Sequence, residues 1–453
     1  MSEPHSGSKL ADTFGSSSND AFLSGDNRID SLLAGYDWTG ALHQAATNIT
    51  YTISGPTEGH FVSDLNGAMA AWERVANVHF TYVSPSSPAA ASANIVVVDD
   101  TGLTVTATGA ELGVTSPTTI PRQPTQMAQA EVHVTTNANV LQFIGSLDPT
   151  IIMTTIHELG HALGLKHPEN YSSVLPGINS GDGLGPFLPV AAATYDNTLM
   201  AYTPGAIATQ ADPPQTPMPY DVLVMQWLYG PNMNYTPQTY KIDGSATTQT
   251  IWNPVGTSTF DTTHFTGNAT INLKQGMGST VGQSNYFIAY GTHIGTLDTG
   301  PGNDSITANN LGDEIKTAPG NDTIHGGAGN DTIIASTGNS IIQGGKGNNI
   351  LIGGYGNDTI FGQTGNDTMT GGTGKNNLYA FLDTNGPTGN DKIENFNPYG
   401  DQLEFSSKIF STAAQAYAAL QQSGVINLTD GGSITLVNIN HNILSASDFI
   451  ITT

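Results

Sequence analysis

Residues 157–167 read HELGHALGLKH, and this stretch decides how the first half of the chain folds. His157 and His161 are four positions apart, so on a helix they lie on one face and can bind one ion. Glu158 lies about 100° round the same helix, from where it could reach a water on the metal without being a ligand. The pattern therefore indicates a metal site with a carboxylate beside it.

A third histidine, His167, stands ten positions after His157, which on a continuous helix is too far along the axis to share the ion. Gly164 removes this difficulty, because a glycine can adopt a left-handed conformation, end the helix and turn the chain back. Three histidine ligands leave an open position for water, as a catalytic zinc requires. The chain has no cysteine, which excludes disulfides and thiolate zinc sites. The sequence therefore predicts one zinc ion bound by His157, His161 and His167.

The residues around this motif predict an α/β layer architecture over about residues 30–235. Asp148 and Pro149 favour a helix start, which places the zinc motif on a helix with one apolar face. Residues 131–134 alternate in polarity, and they are our candidate for an edge strand, whose free main-chain groups could pair with another extended segment. His133 in that strand is expected to be structural rather than a ligand. Other expected elements are a helical turn at 29–33, strands at 49–53 and 93–98, a helix at 66–78, and a second helical stretch that residues 225–228 close and residues 230–231 end.

A nine-residue period sets residues 297–378 apart from the rest of the chain. Each unit has an acidic, amide or hydroxyl residue, usually with a glycine two positions earlier, and an aliphatic residue two positions later. Nine units in unbroken register predict stacked turns and short strands around a narrow apolar core, rather than a disordered linker. The polar positions are Asp304, Asp313, Asp322, Asp331, Ser340, Asn349, Asp358, Asp367 and Asn376, and the aliphatic positions are Ile306, Ile315, Ile324, Ile333, Ile342, Leu351, Ile360, Met369 and Leu378.

The turns of these repeats are suited to calcium. Glycines let the backbone bend so that carbonyl groups converge, and aspartates supply hard oxygen ligands. Leu311 replaces one of the glycines and is a local departure from the pattern. The predicted calcium-binding residues are Gly302, Asp304, Asp313, Gly320, Asp322, Gly327, Gly329, Asp331, Gly345, Gly347, Asn349, Gly354, Gly356, Asp358, Gly365 and Asp367.

These motifs resemble a known family. The stretch at 157–167 is similar to the metzincin zinc-binding consensus, and residues 161–168 resemble its serralysin branch. Residues 198–202, TLMAY, match the methionine turn of that branch, and residues 220–230 resemble the helix that closes its catalytic domain. The Gly-x-Asp turns resemble the repeats-in-toxin signature. Together, these similarities extend from about residue 29 to the C-terminus.

The resemblance implies roles for residues that the pattern alone would leave in an ordinary core. Met200 is expected to form an apolar floor under the metal site without ligating it. Tyr202 is expected to be an additional zinc ligand that can swing away and hydrogen-bond the tetrahedral intermediate. Two units are expected to make one turn of a β-roll, so that residues eighteen apart stack. Because Ser340, Asn349 and Asn376 lack a carboxylate, weaker calcium occupancy is expected at their pairs.

A further loop, residues 251–261, resembles a serralysin calcium loop. Asn253 and Ser258 stand where that family usually has aspartates, and only Asp261 remains. This departure makes the loop a poor candidate for calcium.

The predicted fold class is α+β, with a metzincin-like α/β zinc protease domain followed by an all-β parallel β-roll domain. The expected organisation is a flexible leader or propeptide-like segment at 1–26, the zinc metalloprotease domain at 27–235, a connecting β segment at 236–296, the calcium-binding nonapeptide-repeat β-roll at 297–380, and a C-terminal cap with a secretion signal at 381–453.

Charge and composition limit the partners. Lys and Arg number 12 and Asp and Glu 37, so a formal charge of −25 would repel nucleic acid and anionic membranes. Residues 1–20 lack the features of a cleaved secretory signal, and no segment has the roughly 18 apolar residues of a membrane helix. Residues 447–453 resemble an uncleaved type I secretion signal, an acid followed by apolar residues. We therefore expect an extracellular monomer, secreted through type I secretion machinery, that acts on protein or peptide substrates.

Two functions from different classes fit these features. The first is a secreted zinc-dependent endopeptidase, stabilised by calcium, in which Glu158 is the general base for a zinc-activated water. The second is a non-catalytic surface or adhesive protein that keeps a zinc fold on a calcium roll. The intact Glu158, the three histidines and Tyr202 favour the enzyme. A lipase on a similar roll is disfavoured, because the sequence has no Gly-x-Ser-x-Gly elbow.

Overall fold

The computed structural model describes residues 24–34, 38, 46–55, 61–99, 105–106, 109–110, 113–120, 123–134, 148–168, 187–209, 211–382 and 388–452. Most of the expected leader, residues 1–23, lies outside the described residues. None of the described helices is long and apolar enough to cross a membrane. The described helices are α1 Asn27–Asp30, α2 Phe61–Val75, α3 Asp148–Ala162, α4 Pro219–Tyr229 and α5 Ala413–Ser423, with 3-10 turns at Pro88–Ser92, His441–Ile443 and Ala446–Asp448.

The first half of the chain forms a five-stranded sheet with the order β2-β1-β3-β7-β6. The neighbours β2, β1, β3 and β7 are parallel, and β6 is antiparallel to β7. A separate two-stranded ribbon joins β4 to β5. The strands are β1 Thr47–Ser54, β2 Val78–Tyr82, β3 Ile95–Asp99, β4 Val105–Thr106, β5 Gly109–Ala110, β6 Gly113–Ile120 and β7 Gln123–Val134.

The prediction that residues 131–134 form the edge of this sheet is wrong. They belong to β7, which lies between β3 and β6, and the edge strand beyond them is β6. The sequence of β6, GVTSPTTI, has few apolar residues and contains Pro117, so its polarity does not alternate as a strand usually does. A proline is tolerated on an edge strand because it has no backbone N–H, and the open side of an edge strand needs no ladder hydrogen bond.

The C-terminal end of α3 is fixed by side chains from other elements. The Trp38 indole donates to the Ala162 carbonyl at 2.9 Å, and the Tyr229 hydroxyl donates to the Leu163 carbonyl at 2.7 Å. Trp72 of α2 donates to the Ile156 carbonyl at 3.0 Å. Because the last carbonyls of a helix lack intrahelical partners, the bonds to the Ala162 and Leu163 carbonyls stabilise a helix end at this point. The predicted left-handed glycine is confirmed, since Gly164 has a φ of 105°.

The second half forms two long sheets with their own apolar core. Most neighbouring strands are parallel, and the antiparallel pairs are β11–β12, β12–β13 and β26–β27. One sheet has the order β26-β27-β24-β22-β20-β18-β16-β14-β10-β8, and the other β28-β25-β23-β21-β19-β17-β15-β11-β12-β13-β9. The strands are β8 Thr239–Lys241, β9 Thr247–Ile251, β10 Ser258–Asp261, β11 Ala269–Asn272, β12 Gly278–Val281, β13 Ser284–Ile288, β14 Ile294–Asp298, β15 Ser305–Thr307, β16 Glu314–Lys316, β17 Thr323–His325, β18 Thr332–Ile334, β19 Ile341–Lys346, β20 Ile350–Ile352, β21 Thr359–Thr364, β22 Thr368–Thr370, β23 Leu378–Phe381, β24 Asn390–Glu394, β25 Gln402–Ser406, β26 Val425–Asn427, β27 Ser433–Leu436 and β28 Phe449–Thr452.

The nine-residue period becomes a stack in which residues eighteen apart are partners. Ile306 pairs with Ile324, and Ile315 pairs with Ile333 in the opposite sheet. The predicted inward positions are confirmed for eight units, because their side chains have no exposed surface: Ile306, Ile315, Ile324, Ile333, Ile342, Leu351, Ile360 and Met369.

The register predicted for the ninth unit is wrong by one residue. Tyr379 rather than Leu378 pairs with Ile360 and is fully buried. Asn377 rather than Asn376 accepts the backbone N–H of the turn below, at 3.0 Å. An extra residue in this turn causes the shift. The sequence hides it, because Asn376 and Asn377 could each fill the polar position, and Leu378 and Tyr379, two positions after them, could each fill the inward apolar position.

The asparagines that precede the stacked polar residues form ladders of their own. Asn321 donates its backbone N–H to the Asn303 side chain at 2.8 Å, and Asn339 donates to Asn321 at 2.7 Å. On the other side of the roll, Asn348 donates to the Asn330 side chain at 2.7 Å. These bonds link successive turns through amide groups alone.

Both sheets continue beyond the predicted repeat segment at 297–380. On one side β10 pairs with β14, and on the other β24 and β25 pair with β22 and β23. Strands from the expected connecting segment at 236–296 and the expected cap at 381–453 therefore belong to the same two sheets.

The contrast between adjacent isoleucines tests this packing. Ile342→Ala should lower the free energy of unfolding of the calcium-saturated protein by about 2–4 kcal/mol, because it leaves a cavity in the narrow core. Ile341 is 42% exposed, so Ile341→Ala is the matched control and should change the free energy of unfolding by less than about 1 kcal/mol. Chemical denaturation followed by circular dichroism measures both, and equal losses would contradict the register.

Candidate zinc centre and calcium turns

The three predicted zinc-binding histidines converge. The His157 and His161 Nε2 atoms lie 3.1 Å and 3.0 Å, respectively, from the His167 Nε2 atom. Two nitrogens that bind one tetrahedral zinc at 2.0–2.1 Å lie about 3.3 Å apart. All three residues offer ligand atoms within 4.8 Å of one another. This donor set fits zinc, and the turn at Gly164 brings His167 back to the helix as predicted.

Backbone carbonyls orient two of these rings. The His157 Nδ1 lies 2.9 Å from the Leu199 carbonyl oxygen, and the His161 Nδ1 lies 2.9 Å from the Leu165 carbonyl oxygen. A carbonyl can only accept, so in each ring the hydrogen sits on Nδ1 and the lone pair of Nε2 faces the other histidines. Burial, reinforced by His161 and His167, lowers the pKa of His157 well below its usual range, which keeps that ring neutral. Neutral imidazoles are the form that binds a metal.

A short N-terminal segment holds the loop that carries His167. The Lys166 N–H donates to the Leu32 carbonyl at 2.8 Å, and the Ala34 N–H donates to the Gly164 carbonyl at 2.9 Å. The buried Lys166 ammonium donates to the Ser31 carbonyl at 2.8 Å. Because these bonds clamp the residues just before His167, they restrict its position relative to α3.

Two further residues flank the histidines: Glu158, which is buried, and Tyr202, which is exposed. Glu158 follows His157 on α3 and is only 6% exposed. The Tyr202 ring lies 4.8 Å from the His167 ring and 5.7 Å from the His157 ring, measured between centroids. Tyr202 is 51% exposed, so its side chain has room to move towards or away from the ligands. Glu131 pairs with His133 at 3.3 Å, and neither residue belongs to the histidine cluster.

Met200 is fully buried beneath the zinc helix. A Cβ on Gly160 would lie only 2.9 Å from the Met200 sulfur and 3.2 Å from the Trp72 ring. The absence of a side chain at Gly160 therefore allows the methionine turn to pack directly under α3. This arrangement fits the apolar floor expected for Met200.

Asp221 anchors this methionine turn, a role that the sequence did not reveal. Its buried carboxylate accepts the Thr198 hydroxyl at 2.5 Å and the backbone N–H groups of Leu199 and Met218 at 2.8 Å. Burial raises the pKa of Asp221 to about 7, and the three hydrogen bonds oppose that shift. Because the Leu199 carbonyl bonds His157, Asp221 supports a zinc ligand through one peptide unit. The available signal was an aspartate in the first turn of a helix that starts at Pro219.

The predicted calcium aspartates stack in two columns. In four of them one carboxylate oxygen accepts the backbone N–H of the residue eighteen positions earlier: Asp322 accepts Asp304 at 3.0 Å, Asp331 accepts Asp313 at 2.8 Å, and Asp358 accepts Ser340 at 2.8 Å. Asp367 accepts Asn349 at 2.7 Å. At the nine predicted glycines, an added Cβ would overlap the backbone of a stacked turn. Only glycine therefore allows the turns to approach this closely.

The second carboxylate oxygen of several of these aspartates is buried without a hydrogen-bond partner. A buried carboxylate oxygen without a partner is unfavourable, so a cation that binds it removes the cost. Four of the predicted aspartates have such an oxygen, namely Asp322, Asp331, Asp358 and Asp367, and so does a further aspartate, Asp391. These orphaned oxygens fit calcium at the repeats.

Two column members were missed by the sequence reasoning. Asp391 accepts the Asp367 N–H and Asp401 accepts the Asn377 N–H, each at 2.8 Å. Both lie twenty-four residues after their partners instead of eighteen, so they fall outside the nine-residue period. The Gly-Asn-Asp sequence that ends at Asp391 was the signal that could have found one of them.

The loop at 251–261 uses its polar groups within the protein. The Asn253 amide donates to the Thr236 carbonyl at 2.8 Å and accepts the Val255 N–H at 3.0 Å. Asp261 accepts the Thr263 N–H at 2.9 Å. The poor calcium site expected here therefore remains a prediction, with these hydrogen bonds in its favour.

Comparisons with known proteins agree with both halves. Residues 42–180 match the Matrixin family model, and residues 307–342 and 343–378 match the RTX calcium-binding nonapeptide repeat. Serralysin C of Dickeya chrysanthemi is 33% identical over 176 residues, covering 34% of this chain and 35% of that protein. Metallopeptidase AprA of Pseudomonas marginalis is 31% identical over 185 residues, covering 36% and 38%. The matched region thus spans little more than a third of these relatives.

A solved structure, the hatching enzyme zinc-protease HCE-1 of Oryzias latipes, covers 43% of this chain and 94% of its own at 18% identity. Its TM-score of 0.23 is too low to support any conclusion. The sequence matches confirm the resemblance: the chain combines a Matrixin domain with RTX calcium-binding repeats, consistent with a serralysin-type metzincin. Zinc and calcium are the cofactors that these domains and the histidine cluster support.

Replacement of the anchoring carboxylate should weaken the zinc site. Asp221→Asn removes an acceptor from the buried network, and we expect zinc affinity to fall about tenfold, as for other outer-shell changes. The exposed Asp243 provides the control variant Asp243→Asn, which should bind zinc like the original chain. Competition with a chromophoric chelator measures both, and an unchanged affinity for Asp221→Asn would refute the support role.

Calcium binding by the roll should depend on pH. Burial raises the pKa of Asp331 to about 6, of Asp367 to about 7 and of Asp391 to about 8 in the cation-free roll, against an ordinary value of 3.8. Because folding raises these pKa values, the cation-free fold loses stability as pH rises from about 4 to about 8.

Calcium binds the ionised carboxylates, so it competes with protons at low pH. Above about pH 5 the carboxylates of the unfolded chain and of the calcium-bound roll are both ionised, so protons stabilise only the cation-free fold. We therefore expect the gain in free energy of unfolding on calcium saturation to be at least about 1.4 kcal/mol larger at pH 8 than at pH 5.5. Chemical denaturation with and without calcium, followed by circular dichroism at the two pH values, measures this gain. A gain independent of pH would contradict the linkage.

Proposed function

We propose that the chain is a secreted, zinc-dependent endopeptidase that hydrolyses peptide bonds of extended protein substrates and is stabilised by calcium. The observation that carries this proposal is the convergence of three imidazoles next to the buried Glu158. Three protein ligands leave a coordination position open, whereas a structural zinc site is closed by four.

The chemistry divides between the metal and the side chains. Zinc, when bound by the three histidines, supplies a Lewis acid that polarises the scissile carbonyl and makes a water molecule more acidic. Glu158 accepts the proton of the attacking water at its carboxylate as the water oxygen adds to the carbonyl carbon. It then delivers that proton to the amide nitrogen as the carbon–nitrogen bond breaks, so the products are a carboxylic acid and an amine.

Tyr202 has the position and freedom for a second role. Its exposed ring lies beside two histidine ligands, so its hydroxyl can act as an additional ligand. When it swings away, it can donate a hydrogen bond to the negative oxygen that develops on the substrate carbonyl. Met200 takes no part in these proton transfers and supports the ligands from below.

The substrate is proposed to bind as an added strand on β6, Gly113–Ile120. This strand is the antiparallel edge of the sheet, and it packs beside the zinc helix α3. An edge strand offers main-chain N–H and C=O groups that any extended peptide can pair with. The correction of the edge from residues 131–134 to β6 thus moves the expected substrate cleft by one strand.

Export and folding are proposed to be linked through calcium. Stacked aspartates repel one another in a calcium-poor cytoplasm, so the roll would stay open until the chain reaches an extracellular, calcium-rich medium. A C-terminal signal at residues 447–453 would direct the chain to type I secretion machinery. We propose that the secreted protein acts as a monomer on protein or peptide substrates.

The rival function, a non-catalytic surface or adhesive protein, predicts no cleavage at all. Glu158→Gln should keep zinc but lower kcat/KM for an unstructured protein such as casein by about 10²–10⁴-fold, because the general base is lost. Glu314→Gln makes the same chemical change on the outer face of the roll, where Glu314 is exposed, and should leave cleavage unchanged. Cleavage by Glu158→Gln at the original rate would refute the mechanism, and no zinc-dependent cleavage by the original chain would favour the rival.

A further inference from the structure

Two turns of the roll share a five-residue pattern that the other repeats lack. Residues 309–313 read NNLGD, and residues 397–401 read NPYGD. Each ends at a buried aspartate of the columns, Asp313 or Asp401, and each has an asparagine four positions before it. Both therefore follow the pattern Asn-x-x-Gly-Asp.

The asparagine closes each turn on its own aspartate. The Asn309 N–H donates to the Asp313 Oδ2 at 2.8 Å, and the Asn397 N–H donates to the Asp401 Oδ2 at 2.9 Å. The other oxygen is also bonded: Asp313 Oδ1 accepts the Asn309 side-chain amide at 2.6 Å, and Asp401 Oδ1 accepts the Asn377 N–H at 2.8 Å. Both carboxylates thus have a hydrogen-bond donor at each oxygen.

The asparagine side chain completes the turn in the same way at both sites. Asn309 accepts the Leu311 N–H at 2.7 Å, and Asn397 accepts the Tyr399 N–H at 3.1 Å. Two turns that are far apart in sequence therefore share both their residue pattern and their hydrogen bonds.

The backbone differs at the same position in four of the other turns. Four residues before their column member, Gly327, Gly345 and Gly354 have φ values of 104°, 92° and 95°, and Gln363 has a φ of 70°. Neither Asn309 nor Asn397 has a positive φ. The left-handed conformation is thus absent from the two turns in which the N–H at this position donates to the carboxylate.

In three turns, which we call open, one carboxylate oxygen lacks a hydrogen-bond partner and is therefore available to a cation. Asp331, Asp358 and Asp367 each keep a buried Oδ2 without a hydrogen-bond partner. In these turns the oxygen lies near the glycine five positions before the aspartate. In the turn of Asp331, for example, a Cβ added to Gly326 would lie 2.7 Å from this oxygen. At Asp313 and Asp401 that oxygen is already bonded to an N–H group.

We propose that the turns ending at Asp313 and Asp401 are closed without calcium, with the asparagine four positions earlier supplying the contacts that a calcium ion supplies elsewhere. The calcium set is then narrower than the sequence predicts, because Asp313 is excluded from it. The open turns at Asp331, Asp358 and Asp367 retain their calcium. The inference concerns the roll alone and does not depend on peptide cleavage.

The test counts calcium ions on the full-length chain. Each purified protein is dialysed against excess Ca²⁺ and then briefly against trace Ca²⁺, and bound calcium per chain is measured by mass spectrometry of the metal. Asp313→Ala and Asp401→Ala should bind as many ions as the original chain. Asp331→Ala and Asp358→Ala, the matched variants in open turns, should each bind at least one ion fewer.

Loss of an ion by Asp313→Ala or Asp401→Ala in a folded protein would overturn the proposal, as would retention of every ion by both open-turn variants. Circular dichroism in saturating calcium checks that each variant is folded. If an alanine variant does not fold, Asp313→Asn and Asp401→Asn replace it and are compared with Asp331→Asn. An unchanged ion count then supports the proposal, and a loss equal to that of Asp331→Asn overturns it.

Discussion

The structure depends on three imidazole nitrogens that converge beside one helix, with the His167 Nε2 lying 3.1 Å and 3.0 Å from the Nε2 atoms of His157 and His161. Neutral imidazoles placed this way point lone pairs at one another, which is unfavourable unless a cation lies among them. The surrounding protein enforces the arrangement: carbonyls of Leu199 and Leu165 fix two rings, and residues 32–34 clamp the loop that carries the third. The first half of the chain is therefore built around the binding of one ion.

The same principle governs the second half with a different ion. Buried carboxylates are stacked along the roll with one oxygen bonded to the neighbouring turn and the other, in the open turns, without a partner. Aliphatic packing and asparagine ladders stabilise the stack by themselves, whereas the orphaned oxygens make it incomplete without a hard cation. Where Asn309 or Asn397 supplies the donors instead, the turn is complete within the chain. Calcium dependence is thus a property of individual turns.

Local periodicity made much of this architecture predictable. The spacing of His157, His161 and His167 and the turn at Gly164 follow from helix geometry, and the inward residues of the roll follow from a nine-residue period. The edge strand β6 could not be predicted, because its identity depends on which strand pairs with β7 across the sheet. Asp221 could not be predicted, because it bonds the loop at Leu199, which is distant in sequence. Asp391 could not be predicted from the nine-residue period, because an insertion separates it from Asp367.

The zinc site itself is tested most directly by X-ray absorption at the zinc K edge, on the full chain loaded with one equivalent of zinc. We expect three histidine nitrogens at about 2.0–2.1 Å and at least one lighter exchangeable ligand. In His161→Ala, the number of histidine nitrogens should fall by one. A spectrum with fewer than three histidine ligands in the original chain, or one unchanged by that substitution, would contradict the proposed centre.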